Sequence, residues 1–168
     1  RSSPTFADLF VITGWLSPTI RLNGQIVGTD KLGHFFGQGW EYFLLGNLQT
    51  ALDFGHQDEA GMNGYIGSGV YSYADLSVNL KGLSFWLGLL SGQAPYVRCE
   101  QGGFVRGRTF SWAEYVSPAW DDALNCSKYV SKEMTEAVEG RLRSQGRSCP
   151  VAPSVCRELV EAPCSNYT

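Results

Sequence analysis

The chain has 168 residues, of which 43% are hydrophobic and 17% charged, with a formal net charge of −3 at pH 7. This length and apolar content suit one domain with a hydrophobic core, and they exclude a disordered chain. The acidic balance excludes electrostatic capture of nucleic acid, and no apolar stretch reaches the roughly 18 residues of a membrane span, so we expect no stable membrane insertion.

The predicted elements begin with a short helix. Ser3-Pro4 places an N-cap residue before a proline at the first helical position, and Gly14 follows the end of the helix near Ile12. Residues 15–29 show no clear periodicity and are expected to be irregular.

The clearest helical pattern of the first half begins at Asp30, the predicted N-cap, and runs to about Phe54. Its apolar stripe comprises Leu32, Phe35, Phe36, Phe43, Leu44, Leu48, Ala51 and Leu52. Glycines at positions 33, 37, 39 and 46 each cost up to about 1 kcal/mol relative to alanine. Their presence indicates that another element or a ligand packs closely against a central, mostly buried helix.

A glycine-rich segment and a second apolar helix follow. The segment Gly55–Tyr71 suits a small hairpin or a long ordered loop. Ser72 is the predicted start of a helix that Gly92 ends. This helix is apolar on most of its faces, which is typical of a helix that crosses the core.

The second half of the chain predicts a hairpin and three helical pieces. Residues 96–110 form a hairpin pattern around Gln101-Gly102-Gly103. Ser111 and Ser117 begin two short helical pieces, and a charged helix covers about 127–145. The buried side of that helix is marked by Met134, Val138 and Leu142.

The cysteines are concentrated towards the C terminus. They are Cys99, Cys126, Cys149, Cys156 and Cys164. This clustering predicts a disulfide-rich tail and favours the periplasm or the exterior. Neither the cysteines nor His34 and His56 have a zinc spacing, so we predict no metal and no cofactor. We expect one domain over residues 1–168, with a core over about 1–146 and a cysteine-rich extension over about 147–168.

Glu59 is the first candidate for catalysis. It follows the long helix, near the start of the glycine-rich segment, beside aromatic and glycine residues. A partly apolar site can keep such a carboxyl group protonated, as the general acid of a glycosidase requires. The alternative is that Asp58 and Glu59 are a solvated pair at a helix end.

Asp75 and Glu41 are the other candidate catalytic carboxylates. Ser72 and Asp75 resemble a capping box, and this structural role is the alternative to catalysis for Asp75. His34, Gln38 and Glu41 form a polar stripe at i, i+4 and i+7 that predicts hydrogen bonds among them and a groove. A buried His–Glu pair without function is an equal alternative. His56 is expected to contact the last helical carbonyls.

Nucleophilic and phosphate-binding sites have little support. The segment Gly67-Ser68-Gly69 lacks the frame of a nucleophile elbow and the Lys-Ser/Thr of a phosphate-binding loop. Four rings near predicted turns are candidates for stacking on sugars. They are Tyr71, Tyr73, Trp112 and Tyr115.

The order of elements over residues 30–92 is similar to that of the lysozyme-like superfamily. In both, a helix ends near a glutamate, here Glu59, and a glycine- and serine-rich excursion precedes a helix that enters the core. The resemblance implies that Glu59 is the general acid, that Ser68, Tyr71 and Ser72 bind substrate, and that Asp75 is a second catalytic group. The excursion is shorter than the β-lobe of the chicken-type enzymes, and Asp75 starts a helix where that family often has a strand.

The sequence therefore predicts a mainly helical α+β, lysozyme-like domain that cleaves peptidoglycan in the periplasm or outside the cell. One alternative is a non-catalytic envelope protein that binds glycan in an aromatic-lined groove. Another is a peripheral membrane protein that modifies lipids, which is suggested by the polar stripe and by the apolar helix after Ser72.

Overall fold

The computed structural model describes residues 19–122, 125 and 127–148. The helices are α1 Asp30–Gly33, α2 Gly39–Leu45, α3 Leu48–Ala60, α4 Tyr73–Leu90 and α5 Lys132–Ser144, with a π-helical turn at His34–Gln38 and 3₁₀ turns at Trp112–Glu114 and Pro118–Trp120. The strands are β1 Thr19–Leu22, β2 Gln25–Gly28, β3 Val70–Tyr71, β4 Val97–Glu100, β5 Gly103–Arg106 and β6 Lys128–Tyr129. Three two-stranded antiparallel sheets pair β1 with β2, β3 with β6 and β4 with β5.

This mixture of helices and small sheets is that of an α+β chain, as predicted. The predicted helix near Ser3 and the predicted disulfides of the tail lie outside the described residues. The thiol of Cys99 is exposed and free. None of the helices described is long and apolar enough to cross a membrane.

The segment before Asp30 differs from the irregular chain predicted for residues 15–29. It is a regular hairpin rather than irregular chain, with Leu22 paired to Gln25 across the turn Asn23-Gly24. Both turn residues have positive φ, 43° and 80°. Asn-Gly is the usual dipeptide of such a turn, so the local signal was present in the sequence.

The long helix predicted from Asp30 to Phe54 is interrupted. Thr29, and not Asp30, is its N-cap residue, and α2 ends at Leu45, followed by Gly46 with a left-handed φ of 67°. Asn47 then caps α3 by accepting a hydrogen bond from the Thr50 backbone N–H at 3.0 Å. Because α3 continues to Ala60, Glu59 lies inside a helix, one residue from its end.

The helix predicted after Ser72 is confirmed and forms the centre of the fold. Ser72 is its N-cap residue, Gly92 follows it with a φ of 89°, and every residue from Tyr73 to Leu80 is buried. The main buried cluster packs between α4, the π-helical turn and the two 3₁₀ turns. Its members are Val27, Phe35, Val78, Tyr96, Tyr115, Val116 and Trp120.

The remaining predictions are confirmed in part. The hairpin over residues 96–110 is present as β4 and β5, joined by Gln101-Gly102 with positive φ. The segment Gly55–Tyr71 does not contain its own hairpin, because β3 pairs with β6. That pairing also explains why α5 starts at Lys132 and not near 127. Leu142 is buried as predicted, whereas Met134 is 42% exposed.

The helical glycines only partly have the predicted close packing. A Cβ on Gly82 would lie 2.1 Å from the Phe35 carbonyl oxygen and 2.8 Å from the Gly39 Cα, whereas a Cβ on Gly33 or Gly37 would meet nothing within 4 Å. Two backbones therefore touch where α2 crosses α4. This contact fixes the distance between the helices that carry the residues described below.

We expect Gly82→Ala to lower the free energy of unfolding by about 1–3 kcal/mol or more, because the backbone of the facing helix would have to move. Gly33→Ala is the matched control: it lies in helical conformation with open space around it, so alanine should raise stability by about 0.5–1 kcal/mol. Urea unfolding of both variants measures the difference. A Gly82→Ala variant as stable as wild type would show that the helices are not in contact.

Candidate functional site

A buried lysine is the centre of the most highly charged region of the structure. Lys31 is 1% exposed, and its Nζ lies 2.8 Å from Asp30 Oδ2, 2.5 Å from Asp75 Oδ1 and 3.0 Å from Asp122 Oδ2. Burial alone would lower the pKa of Lys31, but the three carboxylates together raise it above its ordinary value. The ammonium group therefore stays charged at physiological pH.

His34 completes what we call the Lys31 cluster, which consists of Asp30, Lys31, His34, Asp75 and Asp122. The Nε2 atom of His34 lies 3.4 Å from Asp75 Oδ2, and its Nδ1 atom lies 3.1 Å from Asn79 Oδ1. Asp75 and Asn79 are four residues apart on α4 and therefore share one face. The imidazole is held at both nitrogens while its side chain remains 18% exposed.

Three separate segments build this cluster. Asp30, Lys31 and His34 come from α1 and the π-helical turn, Asp75 from the first turn of α4, and Asp122 from the chain after the second 3₁₀ turn. Local signals account for the first two segments, because each is the start of a helix. Their meeting depends on the close packing of α4 against the π-helical turn.

The polar stripe predicted on the long helix does not form. His34 contacts α4, and Gln38 Nε2 instead donates a hydrogen bond of 2.7 Å to Asp58 Oδ2. Glu41 is exposed on α2 and forms no hydrogen bond or ion pair with any described residue. The π-helical turn changes the register between His34 and Glu41, so a spacing based on 3.6 residues per turn fails here.

Glu59 is one of the most deeply buried carboxyl groups of the described chain. Its exposed fraction is 2%, and its Oε2 accepts a hydrogen bond of 2.9 Å from the Ser72 backbone N–H. Burial, and next the negative charge of Asp75, raise the pKa of Glu59 to about 8, although the Ser72 hydrogen bond opposes the rise. At neutral pH this side chain is mainly a neutral acid that can donate a proton.

Ser72 connects Glu59 to the Lys31 cluster. Its Oγ accepts a hydrogen bond of 3.0 Å from the Asp75 backbone N–H and donates one to Asp122 Oδ1. The predicted capping box is therefore only half formed. The Ser72 N–H that Asp75 was expected to bind is occupied by Glu59, which leaves the Asp75 carboxylate to contact Lys31 and His34.

Asp75 is 8% exposed and has opposing influences on its ionisation. Burial raises its pKa above the ordinary value, while the charges of His34 and Lys31 act in the opposite direction. Its ion pair with the permanently charged Lys31 requires the carboxylate form. The site thus brings together a neutral carboxyl group, that of Glu59, and a charged one, that of Asp75.

The predicted substrate-binding residues lie at different depths. Ser68 is exposed and Tyr71 is half-buried, whereas Ser72, Tyr73 and Tyr115 are buried. Trp112 is half-buried and packs against the main core. Tyr73 and Tyr115 therefore do not offer a ring face to solvent. Tyr71, which directly precedes Ser72, is half-buried and exposes part of its side chain.

His56 does not contact the helical carbonyls as predicted. Its Nδ1 hydrogen-bonds to the hydroxyl group of Tyr71, and the two rings are stacked with centroids 6.2 Å apart. The Lys128 ammonium lies 5.6 Å from the centroids of both Tyr71 and Tyr73. These contacts fix the Tyr71 ring beside the N terminus of α4.

The Lys31 cluster also contains a set of metal-ligand atoms. One atom from each of Asp30, His34 and Asp75 lies within 4.8 Å of the others, and carboxylate oxygens with an imidazole suit a divalent transition metal. The Lys31 ammonium, however, already contacts both carboxylates. A metal ion would have to share this position with a fixed positive charge, so the cluster is better described as an internal ion-pair network.

The raised pKa of Glu59 makes folding stability depend on pH. Between its ordinary value of 4.5 and about 8, the native carboxyl group keeps a proton that the unfolded chain has lost. The free energy of unfolding should therefore fall as pH rises through this window, by at most about 1.4 kcal/mol for each pH unit from this group. Urea unfolding at about pH 5 and about pH 8 should show a smaller fall for Glu59→Gln than for wild type. Equal falls would mean that Glu59 titrates normally.

Comparison of the sequence with protein-family models and curated proteins, and of the structure with solved structures, found no match.

Several residues of the site were not singled out from sequence. Lys31 follows Asp30 in a helical first turn, where a solvated pair is the usual interpretation, and Asn79 sits within an apolar helix. The spacing Asp75-x-x-x-Asn79, which puts two polar side chains on one face of that apolar helix, is a signal that our prediction of the site did not use. Asp122 has no local signal, because its role depends on contacts made across the chain.

Proposed function

We propose that the protein is a glycoside hydrolase that cleaves cell-wall glycan by general acid catalysis, with Glu59 as the acid. The single observation that supports this most is the buried Glu59 carboxyl group, whose pKa is raised to about 8. Cleavage of a glycosidic bond requires a proton at the leaving oxygen, and a carboxyl group that is still protonated at neutral pH can supply it.

Asp75 is the second carboxylate of the proposed mechanism. Lys31 holds it through one oxygen and His34 faces the other, so its position and its negative charge are both fixed. A carboxylate of this kind stabilises the positive charge that develops on the sugar ring, or activates water. Fixed charges of this type lower the barrier because they need no rearrangement during the reaction.

In the proposed mechanism, substrate approaches the site past the exposed members of the Lys31 cluster. Asp30 and Asp122 have side chains that are 51% and 38% exposed, and His34 is partly exposed. Tyr71 and Ser68 lie on the chain leading into Ser72 and offer a ring and a hydroxyl group to a sugar. The choice of peptidoglycan, and of a periplasmic or extracellular location, rests on the resemblance in element order to the lysozyme-like superfamily.

The substrate class is tested with the purified full chain and two insoluble glycans, peptidoglycan and chitin. Release of reducing ends from peptidoglycan, with a bell-shaped dependence on pH, is the expected result. If reducing ends are released from neither glycan, the proposed activity is refuted. Release from chitin alone would retain the reaction but refute the cell-wall substrate.

A non-catalytic glycan-binding protein is the second candidate. The observation that favours it is the near-complete burial of both carboxyl groups, 2% exposed for Glu59 and 8% for Asp75. In that case, the Lys31 cluster serves only to hold α1 and α4 together. Co-sedimentation with peptidoglycan without release of reducing ends would identify this function.

A further inference from the structure

An aromatic cavity lies apart from the Lys31 cluster. It has a volume of about 470 Å³, within the roughly 300–1,000 Å³ of small-molecule sites. Its lining residues are Phe36, Phe85, Leu89, Tyr96, Arg106, Arg108, Thr109 and Phe110. Most of these are apolar, so the cavity suits a hydrocarbon chain.

The edge of this cavity carries two arginines with different partners. The Arg108 guanidinium is paired with Glu114 and lies 3.8 Å from the centroid of the Tyr96 ring. Arg106 is exposed and forms no ion pair with any described residue. One positive charge at the edge is therefore available to an anionic group that is attached to an apolar chain.

An exposed apolar surface continues from the cavity along α2 and α4. We call it the aromatic surface, and it comprises the exposed Phe36, Trp40, Leu44 and Leu87 and the half-buried Trp86. Phe36 belongs to both features, and the Trp86 indole N–H donates a hydrogen bond of 3.0 Å to the Phe36 carbonyl oxygen. The Trp40 and Trp86 rings lie 4.9 Å apart.

This surface is unusually apolar for one facing water. Phe36 and Trp40 are each 40% exposed, Leu87 is 50% exposed and Leu44 is 63% exposed. Phe104, which lies two residues before Arg106 and thus on the same side of β5, is 77% exposed. Exposed aromatic rings beside a basic residue are typical of surfaces that lie in the membrane interface.

We propose that the aromatic cavity binds one acyl chain of an anionic membrane lipid, with Arg106 beside the head group and the aromatic surface against the bilayer. Charge complementarity selects this occupant, because the exposed Arg106 guanidinium lines the cavity and forms no ion pair with any described residue. The whole chain, with its net charge of −3, is repelled by an anionic membrane. Recognition must therefore come from the local arginine and from apolar contact. This site is independent of the proposed glycan cleavage.

Sedimentation with vesicles tests the proposal. The probes are vesicles of phosphatidylcholine alone and of equal parts phosphatidylcholine and phosphatidylglycerol. Wild-type protein should sediment with the anionic vesicles and much less with the neutral ones. Arg106→Gln should weaken this binding about fivefold, which is the change expected for one basic side chain near an anionic surface.

Arg98→Gln is the matched control on the neighbouring strand. Arg98 is already paired with Glu100 at 3.3 Å and does not line the cavity, so its loss should change binding less than twofold. Leu89→Asp tests the cavity itself, because a carboxylate in the lining should abolish binding. Thermal unfolding of each variant shows which variants are folded. If Leu89→Asp is unfolded, the binding of Arg106→Gln decides the test, because Arg106 is exposed and its substitution should not disturb the fold.

Four results would overturn the proposal. Wild-type protein could fail to sediment with anionic vesicles or bind neutral vesicles equally well. Arg98→Gln could weaken binding as much as Arg106→Gln, which would show general electrostatic attraction. A folded Leu89→Asp variant could bind like wild type, which would exclude the cavity.

Discussion

Glu59→Gln is expected to reduce glycan cleavage by roughly 10²- to 10⁴-fold, the usual contribution of a general acid. Glutamine has nearly the same shape and can still accept the hydrogen bond from the Ser72 backbone N–H, but it cannot release a proton to a leaving oxygen. Since the native carboxyl group is mainly neutral at pH 7, the substitution adds no buried charge. The variant should therefore fold but lose nearly all of its cleavage activity.

The measurement is release of reducing ends from purified peptidoglycan by wild type and variant at equal concentration. Glu41→Gln is the matched control, since Glu41 is exposed and was the third carboxylate that sequence suggested. It should retain wild-type activity. A Glu59→Gln variant that cleaves as fast as wild type would remove Glu59 from the mechanism, and an inactive Glu41→Gln variant would require a different site.

Lys31→Met is expected to lower the free energy of unfolding by about 3–5 kcal/mol, the cost of removing one partner from a buried ion pair. Methionine fills a similar volume but leaves Asp75 buried with no ammonium partner, and Asp30 and Asp122 without compensating charge. The three carboxylates would then repel one another. Protonation should relieve part of this repulsion, so the loss should be smaller at low pH.

Lys132→Met provides the control for this effect. Lys132 pairs with Glu136 at 3.5 Å on the surface of α5, and its side chain is 84% exposed. Exposed pairs of this kind contribute about 0.3–0.5 kcal/mol. Urea unfolding should therefore separate the two variants clearly. Equal stability of Lys31→Met and wild type would show that the Lys31 cluster does not hold the fold together.

Helix boundaries with chemical markers were predictable from sequence. Ser72 as an N-cap residue, Gly92 after the end of α4 and the turn Gln101-Gly102 each depend on contacts within a few residues. The interruption of the first long helix was not predicted, although Gly46 and Asn47 carry a stop signal and a start signal side by side. The apolar periodicity on both sides of the break obscured them.

The candidate site was predictable only in part, because its contacts are long-range. Glu59 and Asp75 could be selected as carboxylates near helix ends, and both lie at Ser72 in the structure. Their link to Lys31 depends on the close packing of α4, at Gly82, against the π-helical turn and the start of α2. No local sequence pattern indicates which helices pack together. Glu41 was wrongly placed beside His34 because the π-helical turn was not anticipated.

Sequence alone also could not show which aromatic residues are buried. Sequence could mark Tyr71, Tyr73 and Tyr115 as lying near turns, but it could not tell which rings pack inwards. The exposed rings of the aromatic surface are Phe36 in the π-helical turn and Trp40 on α2, both within the pattern that predicted a mostly buried helix. A stripe that covers most of a helix cannot distinguish a core face from a face that binds lipid.

The protonation state of Glu59 is tested most directly by its own titration. NMR spectroscopy of protein labelled with ¹³C at the glutamate carboxyl carbons would follow this group, and the Glu59→Gln variant would assign its signal. A pKa near 8 is the expected result, since it leaves a neutral acid at physiological pH. A pKa near its ordinary value of 4.5 would contradict the proposed general acid and favour a protein that binds glycan without cleaving it.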